Sequence, residues 1–212
     1  MNTKEKIGIL GTGDVARTLG KALAAHGYEI VLGSRDPSSC TLEGFTIVTL
    51  AQAAQFGKII INGVPGHTTL ETLEALDASA LGEKIFIDVA VALNDDYTAI
   101  VYQDKSGAEL IQEQFPNLAV VKTLCTMTST VMVKPDLLQA PTSVFISGDQ
   151  EAAKAVAKRL LADLGWDAAS QIDLGGITTA RGQEHFAYMY FSLSQLFGHG
   201  DFNIQVVSRK PC

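Results

Sequence analysis

A short apolar run, Ile7-Gly8-Ile9-Leu10, meets Gly11-Thr12-Gly13-Asp14-Val15-Ala16 and passes at once into Arg17-Thr18-Leu19-Gly20-Lys21-Ala22-Leu23-Ala24, which has helical periodicity. No other stretch constrains the fold as strongly. The apolar run reads as a buried parallel strand, and the glycine spacing as the tight turn that joins such a strand to a helix. Gly11 permits the turn, and Gly13 lacks the Cβ that would keep a pyrophosphate from the backbone. Ala16 is small enough for the helix to settle on the sheet. The helix then aims free N–H groups and its positive dipole end at the phosphates. Strand before, helix after and a second strand at the right distance make this a dinucleotide site, in preference to a glycine-rich turn that binds nothing.

Downstream, apolar runs alternate with helical patterns. Strands are predicted over 28–32, 45–48, 58–65, 84–89, 118–124, 143–146 and 167–174, and helices over 50–56, 68–81, 106–114, 150–164 and 178–197. The alternation implies βαβ crossovers, hence an α/β chain: a Rossmann-type, doubly wound, mostly parallel sheet with a small C-terminal lobe. Residues 125–139 read as mixed, with a turn at Lys134-Pro135-Asp136, and 202–207 as an edge strand. The division expected is a dinucleotide-binding part, 1–125, and a lobe, 126–212, continuous with it in one sheet.

At 47% hydrophobic and 18% charged residues, the chain can bury one sizeable core. The net charge of −7, with Lys and Arg scattered, argues against nucleic-acid and anionic-membrane partners. No apolar stretch approaches the roughly 18 residues of a membrane span. The polar start, Met1-Asn2-Thr3-Lys4-Glu5-Lys6, runs directly into the first strand, so no signal peptide and a cytoplasmic location are expected. Cys40, Cys125 and Cys212 are far apart and form no CxxC pair, which points to reduced thiols. The four histidines show no metal-ligand spacing, so no metal is expected.

The residue closing the second strand, about 20 positions past the glycines, distinguishes NAD from NADP. That count reaches Gly33, followed by Ser34 and Arg35. A hydroxyl and a guanidinium stand where a ribose-binding acid would; Arg can grip a 2′-phosphate bidentately and lie on the adenine. The other reading leaves Arg35 solvated and makes Asp36 the ribose acid. Hydride transfer between flat rings needs alignment and exclusion of water more than an acid or base, so the lack of a Ser/His/Asp constellation is compatible with catalysis. His67, after Pro65-Gly66, is a helix cap or a proton donor. Asp88, inside an apolar strand, needs a partner. Cys125 reads as an inert buried thiol, with a reactive one as the alternative. His185, Tyr188 and Tyr190 on the long helix read as core or dimer contacts, and the aromatic side of that helix points to a homodimer. Cys125, Thr126, Met127 and Thr128 leave the sheet at its C-terminal edge, where ligands collect, and suit a planar ring.

Several motifs occur in a specific order: Gly11-Thr12-Gly13-Asp14-Val15, Gly33-Ser34-Arg35-Asp36-Pro37, Val64-Pro65, Val121-Lys122-Thr123-Leu124-Cys125-Thr126-Met127 and Val131-Met132-Val133-Lys134-Pro135. Ser147-Gly148-Asp149 and Asp173-Leu174-Gly175-Gly176, leading to Ala180-Arg181, complete the series. It resembles the deazaflavin (coenzyme F-420)-dependent NADP oxidoreductases and their bacterial relatives, a family itself similar to the cytosolic domain of membrane ferric reductases. The resemblance implies a homodimer and NADP(H) lying over Thr12, Asp14 and Val15, with its 2′-phosphate on Ser34 and Arg35. Val64, Pro65 and Ala90 would line its path, and 124–129 would flank the cleft for a deazaflavin or flavin-like acceptor. Cys125 stands where that family carries Asn or His. Two other functions fit the residues: an NADPH-sensing module without turnover, and a small imine or carbonyl reductase.

Overall fold

The computed structural model describes residues 4–209. Its eight strands form one sheet in the order β3-β2-β1-β4-β5-β6-β7-β8. They are β1 (Lys6–Leu10), β2 (Glu29–Ser34), β3 (Thr46–Thr49), β4 (Ile59–Asn62), β5 (Ile85–Asp88), β6 (Ala119–Thr123), β7 (Val144–Ser147) and β8 (Gln171–Gly175). The helices are α1 (Asp14–Ala25), α2 (Leu50–Phe56), α3 (Gly66–Glu74), α4 (Ala78–Leu81), α5 (Gly107–Gln114), α6 (Ser129–Val133), α7 (Glu151–Asp163) and α8 (Ala180–Phe197). Strands β1 to β6 are parallel, β7 runs antiparallel to β6, and β8 is parallel to β7. The α/β, doubly wound, mostly parallel fold therefore stands, and the order reverses between β2-β1 and β4, where such sheets hold ligands.

The parallel strands are apolar on both sides because helices cover both faces. One core cluster joins Ile7, Ile9 and Ile61 to Leu19 and Leu23 of α1 and Leu160 of α7; the other joins Leu10, Ile60 and Phe86 to Ala53, Leu73 and Ile111. Close packing at the first turn depends on two small residues, since a Cβ on Gly63 would lie 2.9 Å from the Cβ of Ala16. Trp166 is fully buried and satisfies its indole by donating to the Met132 carbonyl at 2.9 Å.

Strand β7 meets β6 only at Lys122↔Ser147 and Thr123↔Ile146. Its first residues therefore lie beyond the end of β6, so that β7 overhangs the C-terminal edge of the parallel strands.

Local chemistry moved several boundaries. The predicted helix over 68–81 is two helices, because the Asp77 carboxylate accepts from Ser79 N at 2.8 Å and starts a new turn. The strand predicted from 167 begins at Gln171; Asp167 instead caps a turn by accepting from Ser170 N. Within 125–139 the chain forms α6 and a 3₁₀ turn over Pro135–Leu137. The edge strand expected over 202–207 does not form. Ser143 N donates to the Ile204 carbonyl at 2.8 Å, but Val206 N turns to the Ser143 hydroxyl and no ladder follows. Cys212 lies outside the described residues.

At the end of β6, the Thr123 hydroxyl is buried with no hydrogen-bond partner among the described residues. Thr123 borders a small apolar void between Leu19, Ile61, Leu124 and Leu160. Thr123→Val exchanges that hydroxyl for a methyl and should stabilise the fold by about 1 kcal/mol, the lower end of the penalty for an unpaired buried polar group. Urea denaturation at constant slope checks this; a lower midpoint would mean that the hydroxyl is satisfied in solution.

Candidate functional site

Because β1 to β6 share one direction, the segments leaving β1, β2, β4, β5 and β6 open on the same edge of the sheet. Gly11 to Val15, Ser34 with Arg35, Val64 with Pro65, Ala90, and Cys125 to Thr128 are thus brought together from five places in the chain. Gly11 has φ +109°, a conformation costly for any side chain, and a Cβ there would lie 2.5 Å from the Gly63 carbonyl oxygen. Gly13 differs. A Cβ on it would meet no protein atom within 4 Å, so internal packing does not require glycine there. It is the N-cap of α1, and no side chain caps the helix. The first turn therefore presents uncapped N–H groups to open space, an arrangement that fits a pyrophosphate. Asp14, whose charge would oppose a phosphate, accepts a hydrogen bond from the Ser129 hydroxyl of α6.

At the end of β2 the two candidate ribose groups have different surroundings. The Asp36 carboxylate accepts from Ser38 N at 3.1 Å, from the Ser38 hydroxyl at 2.5 Å and from Ser39 N at 3.4 Å, capping a 3₁₀ turn. The Ser38 bond, reinforced by Ser39, holds its carboxyl below the usual aspartate range. Arg35 is exposed and forms no ion pair among the described residues.

The segment after β6 begins with Leu124 at φ +60°, an uncommon conformation for a branched residue that turns the chain sharply out of the sheet. Beyond it the four residues predicted to wall a cleft divide. Thr126 and Met127 are 4% and 7% exposed, and Met127 packs into the core near Val131 and Met132. The accessible surface belongs to Cys125 and Thr128. Burial, opposed by Lys122 and reinforced by Glu184 and Asp88, pushes the Cys125 thiol up to about 12, which favours its protonated form at neutral pH. Thr128 donates to Asp201 at 3.1 Å. Gly200 packs beside it, and Tyr190 stacks on Phe202 at 5.0 Å, so the turn after α8 closes against this segment.

Sequence reasoning recognised that Asp88 needs a partner but missed the group that supplies it. Asn62, Asp88 and Lys122 are paired in register across β4, β5 and β6, which places their side chains in one row on one face. Lys122 is wholly buried; it donates to Asp88 at 2.8 Å and to the Ala90 carbonyl, and pairs with Glu184 of α8 at 2.8 Å. Burial works against its charge, but the two carboxylates outweigh it and hold the ammonium above the usual lysine range. Asp88 also accepts from Asn62 at 2.8 Å and from Ala90 N at 3.2 Å, while Asn62 accepts from Val64 N at 3.3 Å. Gln183 donates to Ser147 at 2.7 Å and to the Lys122 carbonyl, and it faces the Cys125 sulfur at 3.9 Å. One buried polar network thus holds Val64, Ala90 and Cys125. The available signal was a polar residue inside each of three neighbouring apolar strands.

Other candidates lie outside this group. His67 opens α3 and faces Asp95 at 3.9 Å. His185 is half-buried and bonds back to the Arg181 carbonyl, and the Tyr188 hydroxyl accepts from Ile100 N. Among the described residues no three His, Cys, Asp or Glu side chains are grouped to hold a metal ion, and no helix is long and apolar enough to cross a membrane.

The model of the family "NADP oxidoreductase coenzyme F420-dependent" matches residues 6–92, which carry the glycine turn, Arg35, Val64 and Ala90. The chain is 29% identical over 178 residues to the metalloreductase STEAP3 of Rattus norvegicus, and 27% identical over 195 residues to the metalloreductase STEAP2 of Homo sapiens. Those matches take in 83% and 90% of this chain but only 35% and 37% of the relatives, so the chain spans about a third of their length. A crystal structure from Arthrobacter sp. FB24, described as an F420-dependent NADP-reductase, superposes with a TM-score of 0.90 at 34% identity. That match covers 97% of this chain and 100% of the other. With residues 6–92 matched by the family model and nearly the whole length matched at 34% identity by that structure, the chain belongs to the coenzyme F420-dependent NADP oxidoreductase family.

Proposed function

We propose that the chain is an NADP(H)-dependent oxidoreductase that passes hydride between NADPH and a planar redox partner, a deazaflavin or flavin-like ring. The observation that carries this reading is the edge formed by β1 to β6, where an open, uncapped helix start, a guanidinium with no ion pair among the described residues and the segment after β6 converge. In this reading Gly11, Thr12, Gly13 and Val15 cradle the pyrophosphate, with Asp14 turned aside. Ser34 and Arg35 take the 2′-phosphate, because Asp36 spends its carboxylate on its own turn. The nicotinamide supplies the hydride; Val64, Pro65 and Ala90 position it, and Cys125 and Thr128 offer surface to the acceptor. The metalloreductase names of the curated relatives support a second step, in which the reduced acceptor passes electrons to ferric iron as a substrate. The uncapped edge also suits an NADPH-binding module, but such a module needs no acceptor surface beside the nicotinamide.

We also assign 1–125 to the nucleotide and 126–212 to the acceptor and to a second copy of the chain. Met189 and Leu196, seven residues apart on α8, are 56% and 75% exposed, and Phe197 next to them is 51% exposed. Such a stripe on one helix face is covered economically by the same helix of a partner.

Arg35→Ala should weaken NADPH on the order of tenfold to a hundredfold, the worth of hydrogen bonds to a charged group, and leave NADH nearly unchanged. Fluorescence titration with both nucleotides checks it, and equal losses would move the 2′-phosphate elsewhere. Thr128→Trp should block turnover while NADPH still binds, since hydride transfer requires the rings about 3–3.5 Å apart. Stopped-flow with deazaflavin, FMN, FAD and ferric chelates as acceptors tests this; a wild-type rate places the acceptor away from Thr128. Sedimentation at micromolar concentration should give a dimer that Leu196→Glu dissociates. A wild-type monomer would remove α8 as an interface.

A further inference from the structure

The buried row at the end of β4, β5 and β6 contains more charge than a scaffold needs. Lys122 contributes one cation, while Asp88 and Glu184 contribute two carboxylates, all of them buried. The neighbouring Glu109 and Arg181 pair with each other at 2.7 Å and cancel. Glu184 also accepts from Gly107 N at 2.9 Å and Ala108 N at 3.3 Å, so the start of α5 offsets part of its charge without supplying a full counter-ion. The group is left with a formal charge of about −1. It lies in the last registered row of the sheet and bonds directly to the backbone of Ala90, and through Asn62 to that of Val64.

We infer that the Asp88–Lys122–Glu184 cluster sets the preference of the site between the two redox forms of the nucleotide, by favouring the oxidised, cationic nicotinamide over the neutral reduced ring. This rests on the nucleotide reading above and deepens it. When hydride leaves NADPH, one hydrogen and two electrons pass to the acceptor ring and the nicotinamide gains one positive charge. A fixed negative charge behind the ring's path stabilises that product in an interior where screening is weak. The bound nucleotide thereby becomes a stronger hydride donor than the free one. Glu184 and Asp88 act here as positioning and field residues that exchange no proton with the substrate. A role confined to scaffolding would weaken both redox forms together; a charge acts on one of them.

The test measures NADP⁺ and NADPH affinities of the full chain, the reduced form by its own fluorescence and the oxidised form by competition. Glu184→Gln and Asp88→Asn each bring the group to zero net charge at nearly constant shape. Each should lower the preference for NADP⁺ relative to NADPH on the order of threefold to tenfold, the size expected of one partly screened charge. Glu184 touches neither Val64 nor Ala90, so a shift in that variant has no direct-contact explanation, and Asp88→Asn serves if it fails to fold. An unchanged ratio, even with both affinities reduced, overturns the proposal and leaves the cluster a scaffold. Failure of the wild-type chain to bind either form overturns the nucleotide reading, and this inference with it.

Discussion

Lys122 is wholly buried, and the C-terminal edge of the sheet depends on its being paired. Removing an ammonium from water is costly unless carboxylates and carbonyl oxygens replace the solvent, and here the replacements come from different elements: Asp88 and Ala90 from β5 and its loop, Glu184 from α8. Each of those groups is oriented in turn, Asp88 by Asn62 and Glu184 by the start of α5. Loss of one partner leaves an uncompensated charge in the interior. The β4, β5 and β6 ends, α5 and α8 are therefore fixed relative to one another by electrostatics as well as by apolar packing.

The apolar packing was legible in the sequence and the polar row was not. Periodicity identifies Ile7, Ile9, Ile59, Ile60, Ile61 and Val121 as strand residues because each contributes its own hydrophobicity to a local pattern. The glycine turn was legible for a similar reason: Gly11 must accept a left-handed angle, and that requirement is local. Asp88 looked anomalous by itself, but the lysine that balances it, Lys122, lies 34 positions on, and that lysine's second carboxylate, Glu184, lies further still. Only cross-strand register brings these together. The burial of Thr126 and Met127 was not legible, because Leu124 turns the chain at φ +60°, and nothing in the letters Leu-Cys-Thr-Met-Thr announces that angle.

The same limit explains the tail. Phe202-Asn203-Ile204-Gln205-Val206-Val207 alternates as an edge strand should, but the Ser143 hydroxyl intercepts Val206 N, and Phe202 is drawn to Tyr190. Stacking and a side-chain acceptor outcompete a ladder that would have had only one neighbour. The result is a turn fastened to Thr128 through Asp201, placing residues from the last dozen described positions beside those that leave β6.

The short pairing of β7 with β6 has a consequence for how such a protein can diversify. Two registered residue pairs join the overhanging strand to the parallel ones, so the wall beside the edge can tilt, lengthen or be rebuilt while the register from β3 to β6 stays intact. Changes in what approaches the edge can therefore accumulate in β7, β8 and the tail, insulated from the turn at Gly11 and Gly13. A fold arranged in this way allows the two sides of its edge to vary separately.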